Sequence, residues 1–69
     1  MMFKPHDTVG WLKSINIIYV VITKSETDNE FDTMHTITPI KNFQLPNGVI
    51  NSSLNKQVPL RELYDIINS

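Results

Sequence analysis

The chain has 69 residues, contains no cysteine and has a net charge of −1. Its length allows one domain with a single small core, and the lack of cysteine excludes disulfides and cysteine-based zinc sites. The near-neutral charge argues against a protein that binds nucleic acid through a large basic surplus. Alanine is absent, whereas isoleucine occurs nine times, threonine six times and valine five times. Since β-branched residues favour strands, we expect a mainly β domain spanning residues 1–69.

The first two predicted strands cover residues 8–13 and 15–23. In the first, Val9 and Trp11 share one face by the two-residue period of a strand. Gly10 lies between them, which indicates a bulge or the close approach of another segment. The second strand is apolar on both faces, so it is expected to be central, or to bend through a barrel.

A polar segment rich in carboxylates follows the second strand and is predicted to form a loop. It superficially resembles a calcium-binding loop, but it lacks the glycine and the terminal glutamate that such loops need. We favour an exposed acidic loop that keeps a hairpin tip soluble. Recognition of a basic partner is the alternative, because complementary charges steer association. The carboxylates of this acidic loop are Glu26, Asp28, Glu30 and Asp32.

Three further strands are predicted at residues 31–38, 40–45 and 49–51, with a Pro-Asn-Gly turn between the last two. A short helix is predicted over residues 59–67. Pro59 suits the first position of a helix, and the apolar residues after it follow the spacing of one helical face. These residues are Leu60, Leu63, Tyr64 and Ile67.

The two ends of the chain resemble SH3-like small β-barrels of the KOW and Tudor type. Phe3-Lys4-Pro5-His6-Asp7-Thr8-Val9 is similar to the opening of those domains, although His6 stands where they usually have glycine. Val58-Pro59-Leu60-Arg61-Glu62-Leu63 is similar to their closing valine, helical turn and leucine. The resemblance implies a five-stranded barrel whose loops and open face bind nucleic acid or peptide. We therefore expect four or five antiparallel strands in an SH3-like barrel or a curved meander, with one short C-terminal helix.

Catalytic chemistry has little support in this sequence. None of the serines lies in a Gly-x-Ser-x-Gly turn, and two glycines are too few for a phosphate-binding glycine loop. The two histidines, His6 and His35, have nearby carboxylates but not the spacing of a metal site. The sequence therefore predicts no enzymatic activity, no cofactor and no metal.

Aromatic and basic side chains are the candidates for partner contact. Aromatic rings can stack on single-stranded bases, and tyrosine and arginine are frequent hot-spot residues of protein interfaces. For the tryptophan and the first tyrosine, a position in the core is the favoured alternative. The candidates are Trp11, Lys13, Tyr19, Arg61 and Tyr64.

The leading functional hypothesis is a small non-catalytic protein-binding module that regulates or inhibits a larger protein. The isoleucine, asparagine and lysine bias indicates an AT-rich genome, such as that of a phage or a bacterium. A nucleic-acid-binding barrel and a homo-oligomeric structural protein are the alternatives. No signal peptide and no apolar stretch of about 20 residues is visible, so we expect a cytoplasmic protein that does not enter a membrane.

Overall fold

The computed structural model describes residues 3–25, 29–43 and 52–66, which form one five-stranded antiparallel sheet. The strand order is β4-β3-β2-β1-β5, so the first four strands follow one another and β5 returns to lie beside β1. Within the described ranges no pairing joins β4 to β5, and the barrel is not closed. The strands are β1 (Thr8–Trp11), β2 (Ile18–Ser25), β3 (Met34–Pro39), β4 (Lys56–Pro59) and β5 (Leu63–Asp65).

The helical elements are single turns. One α-helical turn, α1 (Ile40–Phe43), follows β3, and three 3-10 turns lie at Glu30–Asp32, Ser52–Leu54 and Leu60–Glu62. In the part of the chain that the structure describes, no helix has the length and apolar character needed to cross a membrane.

The predicted C-terminal helix over residues 59–67 is wrong. Pro59 ends β4, a 3-10 turn follows, and Leu63 returns to extended backbone with φ −107° and ψ 154°. Leu60 and Leu63 are both buried. A 3-10 turn has three residues per turn and therefore brings them to the same side, as a helix would. The apolar spacing alone did not distinguish the two structures.

The other predicted bounds need smaller corrections. The strand predicted at 8–13 ends at Trp11, the one at 15–23 is shifted to Ile18–Ser25, and the one at 31–38 is shifted to Met34–Pro39. Residues 40–43 form α1 instead of a strand, because Pro39 lacks the N–H that would continue β3. Residues 44–45 and the predicted strand 49–51 lie outside the described residues.

The prediction that the second strand is central is confirmed, because β2 lies in the middle of the sheet. Tyr19 and Val21 on β2 are opposite Val9 on β1 and Ile37 on β3. All four side chains are almost completely buried. The register of β2 against β3 shifts between Val21 and Thr23, and such a bulge bends a strand. The core therefore lies on the face of a curved sheet.

A tight turn leads into β1. The Asp7 N–H donates a hydrogen bond to the Lys4 carbonyl (3.0 Å), and the Lys4 N–H donates to Asp7 Oδ2 (3.0 Å). Pro5 and His6 are the central residues, and His6 has a φ of 77°. Proline followed by a residue with positive φ is typical of a type II turn. His6 thus adopts the backbone conformation that glycine adopts most easily.

We expect the His6→Gly variant to be more stable than His6→Ala by about 1 kcal/mol, because an L-residue strains this backbone conformation. Both variants lose the edge-to-face contact between His6 and Phe43, whose ring centroids are 5.6 Å apart. The difference in stability between the two variants therefore measures the backbone strain at this position alone. Urea denaturation of the two variants measures it, and equal stability would show that the turn does not need positive φ.

Candidate interaction surface

Trp11 lies at the end of β1 and is held by three neighbours. Its indole Nε1 donates a hydrogen bond to Glu62 Oε1 (3.0 Å), and its ring meets the Tyr19 ring edge-on at 6.0 Å between centroids. Lys56 Nζ lies 5.7 Å from the Trp11 ring centroid, within the range of a cation–π interaction. Lys13 Nζ is 3.8 Å from Glu62 Oε1. The structure thus brings together three predicted contact residues, Trp11, Lys13 and Tyr19, and adds two that the sequence did not indicate.

We call these five residues the Trp11 cluster: Trp11, Lys13, Tyr19, Lys56 and Glu62. Their contacts connect residues from different strands of the sheet. Tyr19 is only 1% exposed, so it offers no surface to a partner in this fold. Trp11 is half-buried and packs against the core. Glu62 precedes β5 and Lys56 begins β4, so the indole links the two edges of the sheet. For these two aromatic residues the geometry matches the core alternative.

The other two predicted contact residues, Arg61 and Tyr64, make different contacts. Arg61 Nη1 donates to Asp32 Oδ1, and this ion pair is exposed. Tyr64 is the register partner of Gly10, and its ring occupies the space where a side chain on Gly10 would be. Arg61 therefore connects the turn before β5 with the acidic segment, whereas Tyr64 covers a glycine.

Two carboxylates of the predicted acidic loop, Glu26 and Asp28, lie outside the described residues. The other two, Glu30 and Asp32, are exposed on the 3-10 turn between β2 and β3. Asn29 begins this turn, and its side-chain Oδ1 accepts a hydrogen bond from the Phe31 N–H (3.0 Å). Phe31 itself is 61% exposed.

An exposed apolar surface at the turn between β1 and β2 was not predicted. Four large apolar side chains lie here within seven residues, and each is at least 42% exposed. The sequence pattern predicts that residues 15–17 begin an apolar strand, but in the structure they belong to the turn that precedes β2. We call this surface the apolar end: Leu12, Ile15, Ile17 and Ile18.

A groove of about 350 Å³ runs beside the apolar end. It forms where β2 begins and β3 gives way to α1, so the turn before β2 faces the start of the short helix. The lining is mostly apolar, with one asparagine and one lysine: Asn16, Ile17, Ile18, Pro39, Ile40 and Lys41.

Among the described residues, one charged side chain, Lys41, lines this groove. Lys13 lies in the turn between β1 and β2, and its Nζ is 3.8 Å from Glu62 Oε1. The Leu12 N–H donates a hydrogen bond to the Glu62 carbonyl (2.9 Å), and Arg61, next to Glu62, pairs with Asp32. Charges of both signs therefore lie near the turn that carries the apolar end.

His35 is a polar residue within the core. It is fully buried, its Nδ1 donates a hydrogen bond to the Thr33 carbonyl (3.1 Å), and its ring meets Phe3 edge-on. Nε2 has no hydrogen-bond partner among the described residues. Burial lowers the pKa of His35 below its ordinary value of 6.5, and the nearby Lys24 charge lowers it further. Hydrogen bonding to the main chain of Thr33 and Phe3 raises the pKa, but these effects do not cancel the lowering.

Comparisons of this chain with models of known protein families, with curated proteins and with solved structures found no match.

Proposed function

We propose that this chain is a small non-catalytic protein-binding module whose contact surface is the apolar end. The observation that carries the proposal is the concentration of exposed Leu12, Ile15, Ile17 and Ile18 beside an apolar groove. Contiguous apolar surface with a polar rim is typical of sites that dock another protein. Burying these side chains against a partner would gain about 25 cal/mol for each Å² removed from water.

We also propose that the sheet is an open, SH3-like barrel. The strand order, in which β5 returns beside β1, and the 3-10 turn between β4 and β5 support this. The positive φ of His6, at the position where the resembling domains have glycine, supports it as well. Strong curvature is a further argument. Lys56 on β4 approaches Trp11 on β1, although three strand spacings of a flat sheet would separate these strands by about 14 Å.

Nucleic-acid binding has less support than protein binding. The net charge is −1, and at least three of the six basic side chains have partners among the described residues. Lys56 lies over the Trp11 ring, Lys13 is near Glu62, and Arg61 is paired with Asp32. Few cations are left to neutralise phosphates, which is the main source of affinity in such complexes.

The proposal is tested by affinity capture from an extract of the cells that make the protein. The bait variant Ile15→Ser with Ile17→Ser removes apolar surface at the proposed contact. The matched control, Phe31→Ser with Leu54→Ser, removes exposed apolar surface elsewhere. We expect wild type and control to retain the same specific protein and the first variant to lose it. All three baits should melt at similar temperatures, because exposed substitutions change stability by only about 0.5 kcal/mol.

Retention of every partner by the Ile15→Ser, Ile17→Ser variant would contradict the proposed surface. A gel shift with DNA or RNA at low salt that weakens steeply with added salt would instead identify nucleic-acid binding. A molar mass above 8.0 kDa that rises with concentration in light scattering would identify the homo-oligomer alternative.

A further inference from the structure

His35 packs against the segment before β1 and against the strands on either side of β3. Its register partners are Lys24 on β2 and Val58 on β4. The Phe3 ring meets its ring edge-on, with 6.0 Å between the centroids. The carboxylates closest to it along the chain are exposed on the 3-10 turn before β3: Glu30 and Asp32. Among the described residues, the charge that acts on the ring is that of Lys24, which has the same sign as a protonated histidine.

Phe3 is buried in the core although it belongs to no strand. In the described part of the chain, the main-chain hydrogen bonds that join residues 3–7 to the sheet are made with Val21. The His6 N–H donates to the Val21 carbonyl (2.8 Å), and the Val21 N–H donates to the Asp7 carbonyl (2.9 Å). Phe3 lies on the far side of the tight turn that precedes β1. It can therefore leave the core by local opening, without breaking a main-chain hydrogen bond of the sheet.

We propose that the contact between Phe3 and His35 is a pH switch, in which protonation of His35 releases Phe3 from the core while the strands of the sheet stay paired. This switch lies in the core and does not depend on the proposed function. Once Phe3 has left, water reaches the imidazolium ring, whose charge is costly when buried. The other route for water would separate β3 from β2 or β4, which breaks main-chain hydrogen bonds of the sheet. Release of Phe3 is therefore the less costly response to the charge.

The neighbours of His35 determine the pH range of the switch. Burial has the largest effect and lowers the pKa of the docked ring below 6.5, whereas the main chain of Phe3 raises this pKa and has the smallest effect. With Phe3 released, the ring lies in water and its pKa returns toward 6.5. Docking is therefore strongest above pH 6.5 and weakens as the pH falls below it. The ratio of docked to released Phe3 falls by at most about tenfold for each pH unit.

The first test labels the phenylalanines of the full chain with para-fluorophenylalanine and follows them by ¹⁹F NMR from about pH 7.5 to about pH 4.5. We expect the Phe3 signal to shift toward that of Phe31, which is 61% exposed. Over the pH range of this shift, the ¹⁵N amide signals of β2 and β3 should stay dispersed, because the sheet remains paired when Phe3 leaves.

The His35→Leu variant is the control, because it removes the titrating ring and keeps an apolar side chain beside Phe3. Its Phe3 signal should stay in place, although its carboxylates are protonated over the same pH range as those of the wild type. A wild-type Phe3 signal that stays in place, or that shifts only as the amide signals of the sheet collapse, would overturn the proposal. An equal shift in His35→Leu would overturn it as well.

The pKa of His35, measured by NMR from the carbon-bound protons of its ring, provides the second readout. In Phe3→Ala the ring is uncovered, so this pKa should rise toward 6.5. Phe3→Leu keeps an apolar cover, and Phe31→Ala truncates an exposed ring, so both should keep the wild-type pKa. An unchanged pKa in Phe3→Ala would show that Phe3 is not the cover, and a lower one that Phe3 stabilises the protonated ring, and either result overturns the proposal. If Phe3→Ala does not fold, the wild-type ¹⁹F titration decides.

Discussion

Lowering the pH from about 7.5 to about 5.5 is expected to destabilise this domain, because its core contains a buried histidine. Nδ1 of His35 already donates to the Thr33 carbonyl, and Nε2 has no hydrogen-bond partner among the described residues. A proton added to this ring would create a charge that is buried beside Phe3 and repelled by Lys24. An unfolded chain takes up the same proton in water without these costs.

The direction of the pH effect follows from the lowered pKa of His35. Between the native pKa and the ordinary value of 6.5, the unfolded state binds more protons than the native state, so stability rises with pH. The contribution is complete above 6.5 and is lost progressively as the pH falls below it. The slope from one group is at most about 1.4 kcal/mol per pH unit.

Urea denaturation at a series of pH values measures this slope. We expect the His35→Leu variant to show a flatter pH profile than wild type between about pH 7.5 and 5.5, whatever its stability at neutral pH. The other histidine, His6, is exposed, and the His6→Gln variant is measured alongside as the control substitution. An unchanged slope in His35→Leu would exclude His35 as the origin.

The Gly10→Ala substitution is expected to lower the free energy of unfolding by about 1–3 kcal/mol, the usual cost of overpacking. A Cβ at this position would overlap the ring of Tyr64, which lies across Gly10 in the paired strands. The Tyr64 ring must move away, so it no longer packs over Gly10 where β1 pairs with β5. Only three residue pairs join these strands, and in a domain this small each kcal/mol shifts the melting temperature by about 4–8 °C.

A double-mutant cycle separates this clash from a general preference for glycine. In the Tyr64→Ala background, Gly10→Ala should be neutral or stabilising by up to about 1 kcal/mol, because alanine restricts the unfolded chain. The difference between the two backgrounds is the coupling energy, measured by thermal or urea unfolding. An equal cost in both backgrounds would mean that Tyr64 is not the obstacle.

The β class and the central position of β2 could be predicted because strand periodicity is a local property of the sequence. Val9, Tyr19 and Val21 follow it, and they form the core. The C-terminal helix could not be excluded in the same way. The three-residue spacing of Leu60 and Leu63 fits a helix and a 3-10 turn equally well, and the pairing of β5 with β1 decides between them.

The proposed interaction surface was harder to predict than the fold. Candidate residues were chosen by chemical type, and type does not determine exposure. Tyr19 is buried, whereas Ile15 is 68% exposed. Nothing in the order of residues reveals that the turn before β2 and the start of α1 come together, because their contact depends on where β3 ends.

The return of β5 to the side of β1 also determines how this domain can be joined to other chains. In the antiparallel register Val9 is opposite Asp65, so the chain enters the first strand and leaves the last one at the same corner of the sheet. Domains with neighbouring ends can be placed inside a surface loop of another protein without stretching that loop. The architecture thus suits insertion as a compact module, with the apolar end left free to face outward.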